Sequence, residues 1–190
     1  MVDIMDDIPR PKRRNLYLAA QVTQKSMNDL TKAILEINNH DRHLEKLYPV
    51  YGLDYTPLPI KIYIDSYGGA VYQCLGLLGV METSITPVHT VATGAAMSCG
   101  FMILITGHHR IGYRHSTPLY HQVSTGFWGK VKDMEESLEE TKRLQKKFEE
   151  MTLERTNIAP KKLQEVLKNK VDWYMTAQEA LALGVVDEVW

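Results

Sequence analysis

The stretch IKIYIDSYGG at residues 60–69 combines a strand pattern with a pair of glycines at the point where the strand ends. Apolar and polar side chains alternate from Ile60 to Asp65, and a helical pattern follows from Val71 onward. Strand, glycine turn and helix in this order are typical of a βαβ unit, in which parallel strands are joined by a right-handed crossover. The stretch therefore predicts an α/β fold with a largely parallel sheet.

The alternation of strands and helices continues on both sides of this stretch. Gly94 is expected to end the next strand and to open an apolar helix that reaches about Thr106. A first helix, capped by Ser26, is expected to end near Asn39, and the chain from there to residue 59 reads as a loop. The other expected strands lie at residues 15–20, 88–93, 110–113, 119–122, 172–175 and 185–189.

The longest helical pattern spans about residues 130–156, and it belongs to a single domain that we expect to cover residues 15–190. Residues 1–14, which precede this domain, read as a mobile N-terminal arm with solvated basic side chains. The long helix has one apolar stripe and mixed charges elsewhere, so it either lies on its own domain or projects to contact another subunit. Its stripe consists of Val131, Met134, Leu138, Thr141, Leu144, Phe148 and Met151.

The composition excludes several classes of protein. With 190 residues, 44% of them hydrophobic, and a net charge of -1, the chain fits one soluble globular domain and lacks the broad basic surface of a nucleic-acid binder. It contains neither a membrane-spanning apolar run nor a secretory signal, so a cytoplasmic protein without membrane contact is expected. Cys74 and Cys99 do not have the spacing of zinc ligands, and we expect neither a metal nor another cofactor.

Three side chains stand where catalytic chemistry could occur. Ser98 lies among small residues in GAAMSCG, where a substrate can approach its hydroxyl and the next amide can stabilise an oxyanion. His121 follows a predicted strand and opens a loop, where a general base would lie, and Asp172 could orient its imidazole. Each residue alone also has an ordinary interpretation: close helix packing for Ser98, a structural histidine for His121 and a strand start for Asp172.

Taken in order, these motifs resemble the ClpP family of self-compartmentalising serine peptidases. The resemblance covers roughly residues 15–189 and implies a ClpP/crotonase-like spiral of βαβ units with a projecting handle helix, here the long helix at about 130–156. It rests on YIDSYGG at 63–69, GAAMSCG at 94–100, YHQ at 120–122, DWYMTAQEA at 172–180 and LGVVDEV at 183–189.

The resemblance implies that Ser98 is the nucleophile, His121 the general base and Asp172 the orienting carboxylate. It places the oxyanion hole at the backbone N–H groups of Gly69 and Cys99. A polypeptide substrate would add as an extended strand beside the segments that follow the glycine pair and the histidine. The implied substrate-binding residues are Gly68, Ala70, Val71, Val123, Ser124 and Thr125.

The implied activity is serine endopeptidase cleavage of unfolded proteins or peptides inside a homo-oligomeric chamber, two stacked heptameric rings joined by the handle helices. Tyr67 stands where the family usually has proline, and Cys99 where methionine is common; neither change removes a backbone donor. The N-terminal region is short for the family, which argues against an AAA+ unfoldase partner and favours a divergent or phage-encoded member. A phage head-maturation protease, a crotonase-type acyl-CoA enzyme and a catalytically inactive ring subunit stay open as alternatives.

Overall fold

The computed structural model describes residues 13–126 and 128–190, which form seven strands and six α-helices. The strands are β1 Asn15–Leu18, β2 Ile60–Ser66, β3 Val88–Met97, β4 His109–Gly112, β5 Thr117–Tyr120, β6 Trp173–Tyr174 and β7 Glu188–Val189. The helices are α1 Gln24–Leu47, α2 Val71–Glu82, α3 Cys99–Thr106, α4 Val131–Arg155, α5 Pro160–Asn169 and α6 Ala177–Ala182, with a 3-10 turn at Tyr48–Tyr51 after α1.

The sheet is parallel except at one edge. Its main order is β1-β2-β3-β4-β7, and all four of these pairings are parallel. The last residues of β3 pair with β5 in parallel, and β5 pairs with β6 in the antiparallel sense. The predicted α/β fold with a largely parallel sheet is therefore confirmed.

The alternation in β2 explains how the sheet is covered. Ile60, Ile62 and Ile64 point to one face and are fully buried in the main core. Burying each of these side chains contributes about 1.5–3 kcal/mol. Helix α3 is buried along its whole length, so it forms the middle of the core behind β3.

The predicted turn at Gly94 is wrong, because β3 continues through it to Met97 and α3 begins only at Cys99. At Gly94 the strand passes the carboxylate of Asp65, which accepts a hydrogen bond from the Ala95 N–H at 2.9 Å. A Cβ at residue 94 would lie 2.5 Å from Asp65 Oδ1. The glycine therefore serves a close approach between strands, a role that the local pattern does not distinguish from a turn.

The first helix is longer than predicted at both ends. It is capped by Thr23, whose side chain accepts from the Ser26 N–H, and it continues past Asn39 to Leu47. Two polar residues near the predicted end of the helix are buried: Asn38 accepts a hydrogen bond from Ser84 at 2.9 Å, and Asp41 is part of an ion pair. Their tertiary partners override their weak helix propensity.

Arg14 does not belong to a mobile arm, although residues 1–12 of the expected arm lie outside the described part of the chain. Its side chain is buried, and Nη1 donates to Asp41 Oδ2 at 2.7 Å and to the Leu58 carbonyl at 2.9 Å. The Tyr55 hydroxyl donates to the same carboxylate at 2.6 Å. This cluster joins the start of β1, α1 and the segment before β2.

Helix α4 has two different halves, in agreement with a projecting handle. Residues 131–139 are exposed on every side, including Val131 at 67%, whereas Leu144 and Phe148 are buried against the domain. The apolar stripe therefore continues beyond the part of the helix that its own domain covers. In the described ranges, the long helices are too polar and the apolar ones too short to span a bilayer.

Replacing Asp41 by Asn should lower the free energy of unfolding by about 3 kcal/mol, because the buried Arg14 guanidinium loses its counter-charge. Urea unfolding at a fixed protein concentration measures the loss. Lys25→Met breaks an exposed ion pair with Asp29 and should leave the midpoint nearly unchanged. Equal losses of unfolding free energy in the two variants would show that the buried Arg14–Asp41 ion pair contributes no more to stability than the exposed one.

The effect of Asp41 should also depend on pH. Burial alone would raise the pKa of Asp41, but hydrogen bonds from Arg14, Thr86 and Tyr55 outweigh burial and the pKa is lowered. A carboxylate with a lowered folded pKa stabilises the fold above its unfolded pKa of about 3.9, and this contribution is lost as pH falls through the folded pKa. The difference between the wild type and Asp41→Asn should therefore narrow below about pH 4.

Candidate active site

Strand register brings Ser98, His121 and Asp172 to one edge of the sheet. Met97 pairs with Leu119 in the parallel β3–β5 ladder, and each of the two strands ends at or just after this pair. In the antiparallel β5–β6 ladder Tyr120 pairs with Trp173, so one further step sets His121 opposite Asp172. The three residues thus flank the ends of three adjacent strands.

Ser98 has an unusual backbone that sets it apart from the strand and the helix on either side. Its φ is 54° and its ψ is -120°, a left-handed conformation that is strained for a residue with a Cβ. Two hydrogen bonds hold it: its N–H donates to the Leu119 carbonyl at 3.1 Å, and its carbonyl accepts from the Met102 N–H at 3.2 Å. A serine on a sharp strand-to-helix turn of this kind has the geometry of a nucleophile elbow.

The three polar side chains are near one another but are not fully hydrogen-bonded. His121 Nδ1 lies 3.7 Å from Asp172 Oδ1, which is within ion-pair range but too long for a hydrogen bond. The Asp172 side chain is 60% exposed. Within the described part of the chain, no hydrogen bond joins Ser98 to His121. Catalytic hydrogen bonds are often this loose before substrate binds.

The two glycines before α2 are packed closely against their surroundings. Gly68 has φ 96° and Gly69 has φ 146°, a region that side chains rarely allow. A Cβ on Gly68 would lie 2.6 Å from Ser98 Cβ, and a Cβ on Gly69 would lie 2.3 Å from the Val22 carbonyl oxygen. The turn can therefore approach Ser98 only because Gly68 lacks a side chain, and it can approach Val22 only because Gly69 lacks one.

Val22 occupies part of the backbone that was expected to meet a substrate. Its N–H donates to the Gly68 carbonyl at 2.8 Å, and its carbonyl accepts from the Ala70 N–H at 2.9 Å. The Gly69 N–H lies between these two contacts. Among residues 13–126 and 128–190, neither this N–H nor that of Cys99 donates to a backbone carbonyl, and both lie close to the Cys99 thiol. These are the two amides that the sequence analysis expects to form an oxyanion hole beside Ser98.

The two cysteines connect the helices behind the serine. Cys99 Sγ lies 3.3 Å from the Gly69 carbonyl, and Cys74 Sγ lies 3.5 Å from the Cys99 carbonyl. The hydrogen bond with Cys99, together with burial, raises the pKa of the Cys74 thiol well above its usual value. Cys74 is therefore a protonated packing residue and not a nucleophile.

A small cavity of about 40 Å³ lies in front of Ser98. Its wall includes most of the residues that the sequence analysis selected, but not Gly68, Ala70, Cys99, Thr125 and Asp172. Met102, Tyr120 and Phe148 were missed, because nothing in their local pattern separates a cavity wall from an ordinary core position. The complete lining is Gly69, Val71, Ser98, Met102, Tyr120, His121, Val123, Ser124 and Phe148.

The described residues hold no group of three or more His, Cys, Asp or Glu side chains arranged to bind a metal ion. The polar groups at this edge are a hydroxyl, an imidazole, a carboxylate and backbone amides.

Comparison with known sequences finds relatives of one family. The family described as Clp protease matches residues 53–190. The ATP-dependent Clp protease proteolytic subunit of Bacteroides fragilis is 30% identical over 178 residues, which cover 93% of this chain and 78% of the relative. Proteolytic subunit 1 of Prochlorococcus marinus is 30% identical over 182 residues, or 94% and 84%. The subunit of Deinococcus radiodurans is 27% identical over 180 residues, or 94% and 80%.

Gly68→Ala should displace Ser98, because the new Cβ would meet Ser98 Cβ at 2.6 Å on a backbone with φ 96°. We expect labelling of Ser98 by a fluorophosphonate to slow by about 100-fold or more, since misplacement by about 1 Å has effects of this size. Mass spectrometry of the labelled peptide measures the rate.

Gly76→Ala in α2 is the matched control, because a Cβ there meets nothing within 4 Å. It should label at the wild-type rate and gain about 0.5–1 kcal/mol of stability. Wild-type labelling in Gly68→Ala would show that the glycine turn does not set the position of the serine.

Proposed function

The chain belongs to the Clp protease family of serine peptidases, and we propose that Ser98, His121 and Asp172 are its catalytic triad in the cleavage of polypeptide chains. One observation carries the proposal. Register across β3, β5 and β6 sets the three residues at one edge of the sheet, beside the cavity that Ser98 and His121 line. Nucleophile, base and orienting carboxylate on adjacent strand ends are what acyl transfer needs.

In the proposed mechanism, the Ser98 hydroxyl attacks the carbonyl carbon of the scissile peptide bond. His121 has Nδ1 toward Asp172, so Nε2 is the nitrogen left to take the hydroxyl proton. The imidazolium that forms is stabilised by the carboxylate and then gives its proton to the leaving amine. A water molecule releases the acyl group in a second cycle of the same proton transfers.

The negative charge of the tetrahedral intermediate would be stabilised by two backbone amides, the N–H groups of Gly69 and Cys99. They flank Ser98 from two elements that pack against each other, and the contact between the Cys99 thiol and the Gly69 carbonyl holds those elements together. Because the amides are already oriented, no reorganisation is needed when the charge develops.

The distance between His121 and Asp172 supports a resting state in which their contact is open. In the working enzyme this contact would close to a hydrogen bond. At 3.7 Å the carboxylate does not yet fix the imidazole, and water reaches most of Asp172. Substrate in the cleft, or a neighbouring subunit over Asp172, would exclude this water and shorten the contact. We propose that catalysis needs this step.

The substrate would lie extended between the turn at residues 68–71 and the segment at residues 123–125. Val22 already uses the Ala70 N–H, so the peptide pairs with the backbone groups that are left on either side of it. The cavity below is walled mainly by Val71, Met102, Val123 and Phe148. An apolar side chain before the scissile bond fits these walls, whereas a charged one would lose its hydration without gaining a partner.

We further propose that subunits enclose a chamber of two stacked heptameric rings. The exposed half of α4 carries Val131, Met134 and Leu138, which are open to solvent in a single subunit. Burial of these side chains against a second copy would supply the contact between the rings. A chamber would provide the selectivity that a cleft built of main-chain contacts lacks.

The alternative with a structural observation in its favour is a catalytically inactive ring subunit. The exposed Asp172 and the open contact to His121 would then be permanent. This alternative predicts mixed assemblies without serine labelling. A crotonase-type acyl-CoA enzyme would instead turn over thioesters without loss on Ser98→Ala, and a phage head-maturation protease would cleave a capsid or scaffold protein.

Ser98→Ala should abolish fluorophosphonate labelling and lower peptide cleavage by about 10⁴-fold or more, and Asp172→Asn should cost about 10³–10⁴-fold. The measurements are the labelling stoichiometry and kcat/KM, on protein whose native mass shows that it has assembled. Ser116→Ala is the serine-to-alanine control, since that buried hydroxyl has no described partner. An assembled wild type that neither labels nor cleaves would exclude the triad.

Peptides with leucine or methionine before the scissile bond should be cleaved with kcat/KM about 10-fold or more above those with aspartate or lysine. A library varied at that one position, with products read by mass spectrometry, measures the ratio. Enlarging the cavity by Phe148→Leu should shift the preference toward larger apolar residues. Equal cleavage after charged and apolar residues would show that this cavity does not hold the substrate side chain.

A further inference from the structure

Gln145 connects the handle helix α4 to the segment that carries His121. Its Oε1 accepts a hydrogen bond from the Val123 N–H at 2.7 Å, and its Nε2 donates to the Tyr120 hydroxyl at 3.3 Å. Nε2 also donates to Glu149 Oε1 at 2.9 Å, one turn further along α4. The side chain is only 9% exposed. A buried amide with all these contacts is held in one orientation, because losing any of them would strand a polar group away from water.

The Tyr120 end of this connection is rigid. The ring is buried and packs edge-to-face against Phe101, with 5.6 Å between centroids. Burial raises the pKa of Tyr120 to about 12, so its hydroxyl stays neutral and can accept from Gln145. Tyr120 thereby links α3, β5 and α4 at the residue immediately before His121.

The Val123 end is a backbone contact. Residues 121–126 form neither helix nor strand, so the sheet does not hold this segment as it holds Tyr120. The hydrogen bond to Gln145 takes the place of a ladder partner. It also uses the Val123 N–H, which is therefore not available to pair with a substrate.

We propose that Gln145 is a positioning residue that holds the His121 imidazole in reach of Ser98. Its two contacts lie on either side of His121 in the chain, one residue before it and two after it, so they fix both ends of the short span that carries the imidazole. Gln145 has no hydrogen bond to Ser98 and is not itself part of the cavity lining; it acts through Tyr120 and Val123, which are part of that lining. The inference rests on the proposed triad.

A purely structural role would be to attach α4 to β5, and this would affect stability and assembly without a specific effect on catalysis. A positioning role predicts different results. Turnover and serine labelling should fall while the native mass and KM change little, and a residue that restores the same contacts should restore the rate.

Gln145→Met keeps the length of the side chain and removes every hydrogen bond. We expect the fluorophosphonate labelling rate of Ser98 and kcat for a short peptide to fall by about 10–100-fold, with KM within about 3-fold of the wild type. Lys146→Met is the matched control, because Lys146 is an exposed neighbour on the same helix. It should label and cleave as the wild type does.

The exchange Gln145→Glu with Glu149→Gln should rescue the rate. A carboxylate at position 145 can accept from both the Val123 N–H and the Tyr120 hydroxyl, and an amide at position 149 can donate to it. All three contacts are kept and the net charge is unchanged. We expect the double variant to label at least about 5-fold faster than Gln145→Met.

The outcomes are distinct. Wild-type labelling in an assembled Gln145→Met, or failure of the exchange to recover the rate, overturns the inference alone. If Gln145→Met does not assemble, Tyr120→Phe decides, because it removes the hydroxyl and keeps the ring; a labelling rate within 2-fold of the wild type then overturns the inference. A wild type that is not labelled at Ser98 overturns the proposed triad and the inference with it.

Discussion

The pairing of the last residues of β3 with β5 is the constraint on which the candidate site depends. It carries the strand past Gly94 to Met97 and gives the Ser98 N–H its acceptor at Leu119. Only with that anchor can the chain turn through a left-handed serine into α3. Had β3 ended at Gly94, as the local pattern indicates, Ser98 would lie inside a helix with its hydroxyl directed into packing.

Several backbone groups around the serine are hydrogen-bonded within the fold itself. The fold uses the Gly68 carbonyl and the Ala70 N–H to bind Val22, and the Val123 N–H to bind Gln145. Among the described residues, the amides of Gly69 and Cys99 donate to no backbone carbonyl and lie close to the Cys99 thiol.

Much of this could be predicted from short patterns, and the failures share one cause. Strand alternation and glycine turns located every strand to within a few residues, and the apolar stripe located α4. The end of α1, the turn at Gly94 and the assignment of Arg14 to an arm were wrong. In each case a partner distant in sequence reverses the local preference: Ser84 for Asn38, Asp65 for the strand at Gly94, and Asp41 for Arg14.

The sequence by itself determined the α/β class, the family resemblance and the identity of Ser98, His121 and Asp172 as candidates, because these follow from periodicity and from motifs a few residues long. The tertiary structure alone decided that these residues share one edge, that His121 and Asp172 stand 3.7 Å apart, and that Met102, Tyr120, Phe148 and Gln145 surround them. The physical reason is that strand register and packing depend on many contacts between segments far apart in the chain, and a local sequence pattern does not record which distant segments meet.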